Sequence, residues 1–234
     1  MPADLDLYIR DAGKWDTAAV VDVLTAAIAA TSLARWMLPG PHARARQLQP
    51  RLTALITEQV TNGSVRVVDD AGQITGALAW TTCALTDGPA RPDPSAVLLD
   101  TDGDAQRGRL LQTQLAHRHP RRPHHHLLAV GVQPSRQRRG VGTALLTDWH
   151  RQLSPEPGEV FLLAPDTLFG LVRDAGYRTL GDPIIPVVSA PPLYALGLTR
   201  AAGGIPASPH VPLVAAAGER WPWGTRLHDS ESSR

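Results

Sequence analysis

The chain has 234 residues, of which 43% are hydrophobic and 19% charged, with a formal net charge of +1. That length can bury a substantial core, and near-neutrality argues against nucleic acid or an anionic membrane surface as partner. The single cysteine, Cys83, excludes an internal disulfide framework and any multi-cysteine metal centre.

In chain order, residues 1–6 are acidic and carry no apolar signal core, so a cytoplasmic location is expected. Residues 5–9 can form a first strand, and Asp16 is placed to cap a helix whose apolar face is Val20, Val21, Leu24 and Ile28. The apolar run 18–30 is interrupted by Asp22 and is too short to cross a bilayer. After Pro39, Gly40 and Pro41 a second helix carries Leu48, Leu52, Leu55, Ile56 and Val60 on one stripe, ending at Asn62 and Gly63. Residues 64–68 and 73–81 read as an antiparallel hairpin. The Pro-, Gly- and Asp-rich stretch 84–104 reads as a surface loop, and 105–116 as a weaker helix.

Residues 127–132 and 160–164 are short, continuously apolar runs, the pattern of strands buried on both faces. A helix over 140–153, with Val141, Leu145, Leu146, Trp149 and Leu153 inward, joins them as a right-handed parallel crossover. A short helix over 167–175 follows, then a closing hairpin from 184–188 and 193–198. The predicted fold class is α/β (α+β): one domain over 1–200, a mixed, mostly antiparallel sheet with a central parallel βαβ crossover and helices on both faces. Residues 201–234 read as a loosely ordered tail.

The most informative stretch lies where strand 127–132 enters its helix. Backbone N–H groups at such a junction lack intrahelical partners and face one point together with the positive end of the helix dipole, which favours a phosphate or pyrophosphate. Arg138 and Arg139 can add charge-assisted contacts. A Walker-type loop is excluded because no lysine follows the glycines, and a dinucleotide fingerprint is weak because Leu145 stands where its third glycine would be. The pattern Q/R-x-x-G-x-G/A after a strand ending V-x-P is met at every position by Val132, Pro134, Gln137, Gly140 and Gly142.

On those residues the chain resembles the GNAT superfamily of N-acyltransferases, closest in style to the small-molecule branch that includes puromycin N-acetyltransferase. The resemblance implies an acetyl-CoA-dependent N-acetyltransferase acting on a small-molecule amine by direct attack in a ternary complex. No metal, nucleic acid or membrane partner is expected, and the chain is expected to be a monomer or homodimer. The resemblance also implies that main-chain groups of Val130, Gly131 and Val132 hold the pantetheine arm, that an N–H of the bulged segment 130–132 polarises the thioester carbonyl, and that the strand at 160–164 splays away. The pyrophosphate would lie on Gln137, Arg138, Arg139, Gly140, Val141, Gly142 and Thr143.

Three positions depart from the family pattern: Val172 stands where a proton-donating tyrosine is common, Leu168 where an asparagine is, and Leu163 where a glutamate is. None can exchange a proton. They motivate an alternative, a non-catalytic acyl-CoA-binding sensor or partner protein.

His124, His125 and His126 open the central strand, with His124 and His126 on one face and His125 on the other. His124 and His125 are candidates for a general base. No third metal ligand at suitable spacing stands beside them, so no metal is expected. Cys83 reads as a small buried hydrophobe rather than a nucleophile. Trp36, Trp80 and Tyr194 are candidate walls of an acceptor pocket.

Overall fold

The computed structural model describes residues 8–84, 94, 105–153, 158–185 and 189–200. The described strands are β1 (Tyr8–Asp11), β2 (Val65–Asp70), β3 (Gln73–Cys83), β4 (His124–Val132), β5 (Gly158–Pro165), β6 (Arg178–Thr179) and β7 (Leu193–Arg200). They form one sheet in the order β1-β2-β3-β4-β5-β7-β6. All neighbours are antiparallel except β4 and β5, which run parallel. The helices are α1 (Thr17–Ala29), α2 (Ser32–Met37), α3 (Pro41–Thr61), α4 (Ala105–Arg118), α5 (Val141–Gln152) and α6 (Asp166–Asp174).

Alternation along the strands sorts the helices into two layers. Val65, Val67, Ala77 and Ala79 pack under α1 and α3, while Val68, Leu78 and Trp80 pack with α5 and α6. Further along the sheet, Phe161, Leu193 and Ala195 face α2 and α4, and Val160, Leu162 and Leu196 face α5 and α6. A period of two sorts these residues into the two layers, except at Leu128 and Ala129, consecutive residues that both pack on the α1 side. On the α5 side the largest group is Trp149, fully buried and tilted against Trp80 with ring centroids 5.8 Å apart.

Several sequence expectations are corrected. A helix at Ser32–Met37 was not anticipated; Thr31 caps it, its hydroxyl accepting from the Ala34 N–H at 3.1 Å. Asp16 sits at the N-cap of α1 without a side-chain cap bond, because its carboxylate accepts from the Gly13 N–H and from Arg10 instead. Of the expected strand over 184–188 only Ile184 and Ile185 lie within the described residues. Ile184 makes a single bridge to Leu193, and the edge strand on β7 is Arg178–Thr179. The first strand is observed at Tyr8–Asp11. The expected loop falls almost wholly, and the expected tail over 201–234 wholly, outside the described residues.

Arg10 ties this first strand to the body of the fold, reaching Asp16 at 2.6 Å and Asp69 at 2.8 Å. Its guanidinium holds both carboxyls below the usual carboxylate range, chiefly by hydrogen bonding. A depressed carboxyl contributes stability that is present above its unfolded pKa and lost as pH falls through its folded pKa. Arg10→Met removes that contribution, so the acid-unfolding midpoint followed by circular dichroism is expected to move to higher pH. An unmoved midpoint would mean the two pairs are decoupled from folding.

Candidate functional site

The parallel pair β4–β5 is registered only over His125–Leu127 against Val160–Leu162. Beyond that point the strands part, although β4 continues to Val132 and β5 to Pro165. A register irregularity coincides with the parting: Ala79 faces Ala129 while Trp80 faces Leu127, so Leu128 is the extra residue. Extra residues bend a strand and increase its twist. The bulge thus lies at Leu128, two residues before the 130–132 segment where it was expected.

The direction of the β4 main chain follows from its pairing with β3. The Gln133 N–H donates to the Thr75 carbonyl at 2.8 Å, continuing the register in which Gly76 faces Val132. Hydrogen-bonded pairs alternate along an antiparallel ladder. Gly131 therefore bonds toward β3, and the N–H and C=O groups of Val130 and Val132 point into the opening left by β5. The Val132 carbonyl accepts from the Gln137 side-chain amide at 3.0 Å, which pins the following turn to the strand end.

That turn runs through a 3-10 segment, Pro134–Arg136, into α5. Arg138 (φ 61°) and Gly140 (φ 83°) both adopt left-handed backbone. A non-glycine residue there costs roughly 1–2 kcal/mol, and such outliers concentrate at ligand sites. Alternating left- and right-handed residues curl successive N–H groups into an anion-binding concavity. The first intrahelical bond of α5 is from the Ala144 N–H to the Gly140 carbonyl, so the amides of Val141, Gly142 and Thr143 lie ahead of the helical ladder.

A cavity of about 740 Å³ joins these features. The turn bounds it at one end, the main chain of 128–132 along its floor, and α1, α2 and α6 around it. Val130, Gly131, Val132, Gln137, Arg138, Gly140, Val141, Gly142 and Thr143 all line it. Arg139 does not; it is exposed and outside the lining. Arg136, adjacent in the turn, does line the cavity and is ion-paired with Asp70. Gly131 has a packing reason as well: a Cβ there would stand 2.8 Å from the Ala27 Cβ of α1.

The three apolar departures separate. Leu163 and Leu168 face the cavity, whereas Val172 is fully buried in the core beneath α5 and α6. A tyrosine at 172 would overpack that core rather than reach the cavity. Trp36, Trp80 and Tyr194 are not among the described lining residues. The ionisable lining groups that sequence reasoning missed are Asp166 and Asp174. Asp166 begins α6, where its carboxylate accepts from the Ser32 hydroxyl at 2.6 Å and from the Thr167 N–H at 2.8 Å. The cavity therefore has arginines at its α5 end and a carboxylate beside α2.

His124 and His125 are at the far end of β4, where the pairing with β5 begins at His125, and neither lines the cavity. Alternation is as expected: His124 and His126 are buried, at 3% and 0% exposure, and His125 is half-buried beside Thr82. Burial, reinforced by neighbouring His124, pushes the His126 imidazole down to about 3, so it is neutral in the fold.

No family model and no curated protein matches the sequence. Solved structures do match. The histone acetyltransferase HPA2 and related acetyltransferase of Corynebacterium glutamicum aligns at 24% identity with a TM-score of 0.56, over 82% of this chain and 94% of its own. The polyamine N-acetyltransferase of Drosophila melanogaster aligns at 17% identity and a TM-score of 0.58, over 83% of this chain and 100% of its own. A mosquito arylalkylamine N-acetyltransferase-like protein aligns at 13% identity and a TM-score of 0.54, over 83% and 100%. The chain has the fold of the GNAT acetyltransferases.

Proposed function

We propose that the protein is an acetyl-CoA-dependent N-acetyltransferase whose acceptor is a small, positively charged amine. The observation that carries this reading is the continuity of one cavity from the amides at the start of α5 to the outward-facing main chain of Val130 and Val132. A pyrophosphate suits the first feature and an extended amide-bearing arm the second, since each offers donors of the kind the ligand accepts or main-chain pairing it can extend.

In this reading the N–H groups of Val141, Gly142 and Thr143 hold the pyrophosphate, with Arg138 beside them. Arg139 drops from the binding set. Main-chain groups of Val130 and Val132 orient the arm, and an N–H of that segment stabilises charge on the acyl oxygen. Bound acetyl-CoA supplies an activated thioester; the chain contributes alignment and the exclusion of water. The attacking nitrogen, in its neutral form, bonds to the acyl carbon as the carbon–sulfur bond breaks; coenzyme A leaves as the thiolate and the proton displaced from nitrogen passes to solvent.

The carboxylate of Asp166 favours a cationic acceptor at the α2 end. The Drosophila structure is that of an enzyme forming N-acetylagmatine, a product of such an amine. Exposed ion pairs contribute up to about 1 kcal/mol, so Asp166→Asn is expected to raise KM for a cationic amine about threefold to fivefold with kcat little changed. Equal KM values for the two proteins would remove Asp166 from acceptor binding.

The alternative is a non-catalytic acyl-CoA-binding module, favoured by Leu163 and Leu168 on the cavity wall. Calorimetric titration with acetyl-CoA tests both readings. Free-thiol release with a panel of polyamines, aminoglycosides, aminonucleosides and amino acids separates them. Binding with turnover supports the enzyme, binding with silence across the panel supports the module, and no binding overturns both.

A further inference from the structure

Outside the cavity, the fold gathers four metal-ligating side chains at the other end of β4. From spacing alone no third ligand stands beside His124 and His126; the fold supplies two. Cys83, the last residue of β3, faces His124 across the ladder. His119 follows α4 directly, its N–H donating to the Leu115 carbonyl. One ligand atom from each of Cys83, His119, His124 and His126 lies within 4.8 Å of the other three.

Two further features distinguish this group from a chance meeting of polar residues. His119 donates through Nδ1 to the Pro120 carbonyl at 3.1 Å, and His124 through Nδ1 to the Arg122 carbonyl at 2.7 Å. A carbonyl can only accept, so each ring carries a proton on Nδ1, which in the neutral imidazole leaves the lone pair on Nε2. This is the outer-shell arrangement that orients metal-ligating imidazoles. The Cys83 sulfur stands 3.9 Å from that Nε2 of His119. Phe161 meets all three rings edge-on, at 5.5, 5.9 and 5.0 Å, and shields the group from water on that side.

We propose that Cys83, His119, His124 and His126 form a closed, four-ligand site for zinc or a closely similar divalent ion. Three imidazoles with one thiolate, and no carboxylate, select against magnesium and calcium. The ligand atoms need to close by up to about 1.4 Å to reach the edge of a zinc tetrahedron, about 3.4 Å. On binding, the Cys83 thiol gives its proton to solvent as the metal–sulfur bond forms. With all four positions filled by the chain, the ion is structural: it clasps β3 to the α4–β4 joint, across 36 positions of sequence. The site is independent of the acyltransferase reading.

The test uses the full chain, expressed without a histidine tag in zinc-supplemented medium. Elemental analysis after dialysis is expected to show one zinc per chain, and chelation to lower the melting temperature by roughly 5–10 °C, restored by zinc. Cobalt in place of zinc should give tetrahedral visible bands and a thiolate-to-cobalt charge-transfer band. Cys83→Ser should lose that band and bind zinc at least about a hundredfold more weakly, while His125→Ala, on the opposite face, keeps both. Should Cys83→Ser fail to fold, thiol alkylation of the wild type decides: zinc is expected to slow it and a chelator to restore it. Less than about 0.1 zinc per chain with no thermal response, a cobalt spectrum without charge transfer, or alkylation indifferent to zinc would each overturn the proposal.

Discussion

Gly142→Asp is expected to bind acetyl-CoA at least tenfold more weakly than Gly142→Asn, while melting no lower than the asparagine protein. Gly142 is the second residue of α5, and a Cβ there would stand 3.0 Å from the Leu171 side chain of α6. Both variants impose that same displacement, so comparing them cancels the steric part. What remains is one negative charge among the amides of Val141, Gly142 and Thr143. In the free protein a carboxylate in the first helical turn is favourable by about 0.3–1 kcal/mol. With a pyrophosphate in place it becomes repulsive, and a tenfold loss corresponds to about 1.4 kcal/mol. Stability and affinity should therefore move in opposite directions. Calorimetric titration and thermal melting measure the two, and equal affinities for aspartate and asparagine would remove the anion from the α5 terminus.

The strand–turn–helix at 127–153 was legible because each local signal agreed with the next: an apolar run, a proline, two glycines, then a helical stripe on Val141, Leu145, Leu146 and Trp149. Helix α2 was not, because six residues are too few to display a period, and only Thr31 marks its start. The face that α6 turns to the cavity was equally hidden. Leu168 and Leu171 line the cavity and Val172 the core, a division made by packing against β5 and β7 rather than by sequence spacing. The bulge at Leu128 carries no glycine or proline to announce it. Asp166 gained its place beside α2 from a partner 134 residues away, and Cys83 met His119 across 36. Local chemistry was readable; convergence of distant segments was not.

The remaining large effect concerns the strand that floors the cavity. Gly131→Ala is expected to destabilise the fold by about 1–3 kcal/mol, and Gly131→Val by more, because α1 crosses β4 at a distance only glycine permits. The added Cβ meets the Ala27 Cβ at 2.8 Å and the Leu24 side chain at 3.1 Å, with the Leu24 main chain next at 3.5 Å. Leu24 is fully buried, so it has nowhere to swing, and α1 itself must move. Ala27 and Ile28 are cavity lining, so the same movement alters the acyl site. Removing the opposing methyl provides the check. Ala27→Gly alone costs about 1 kcal/mol through helix propensity, yet combined with Gly131→Ala it should cost less than the sum of the two single changes. Strict additivity in denaturant melts would mean that the approach of α1 to β4 is not what requires glycine at 131.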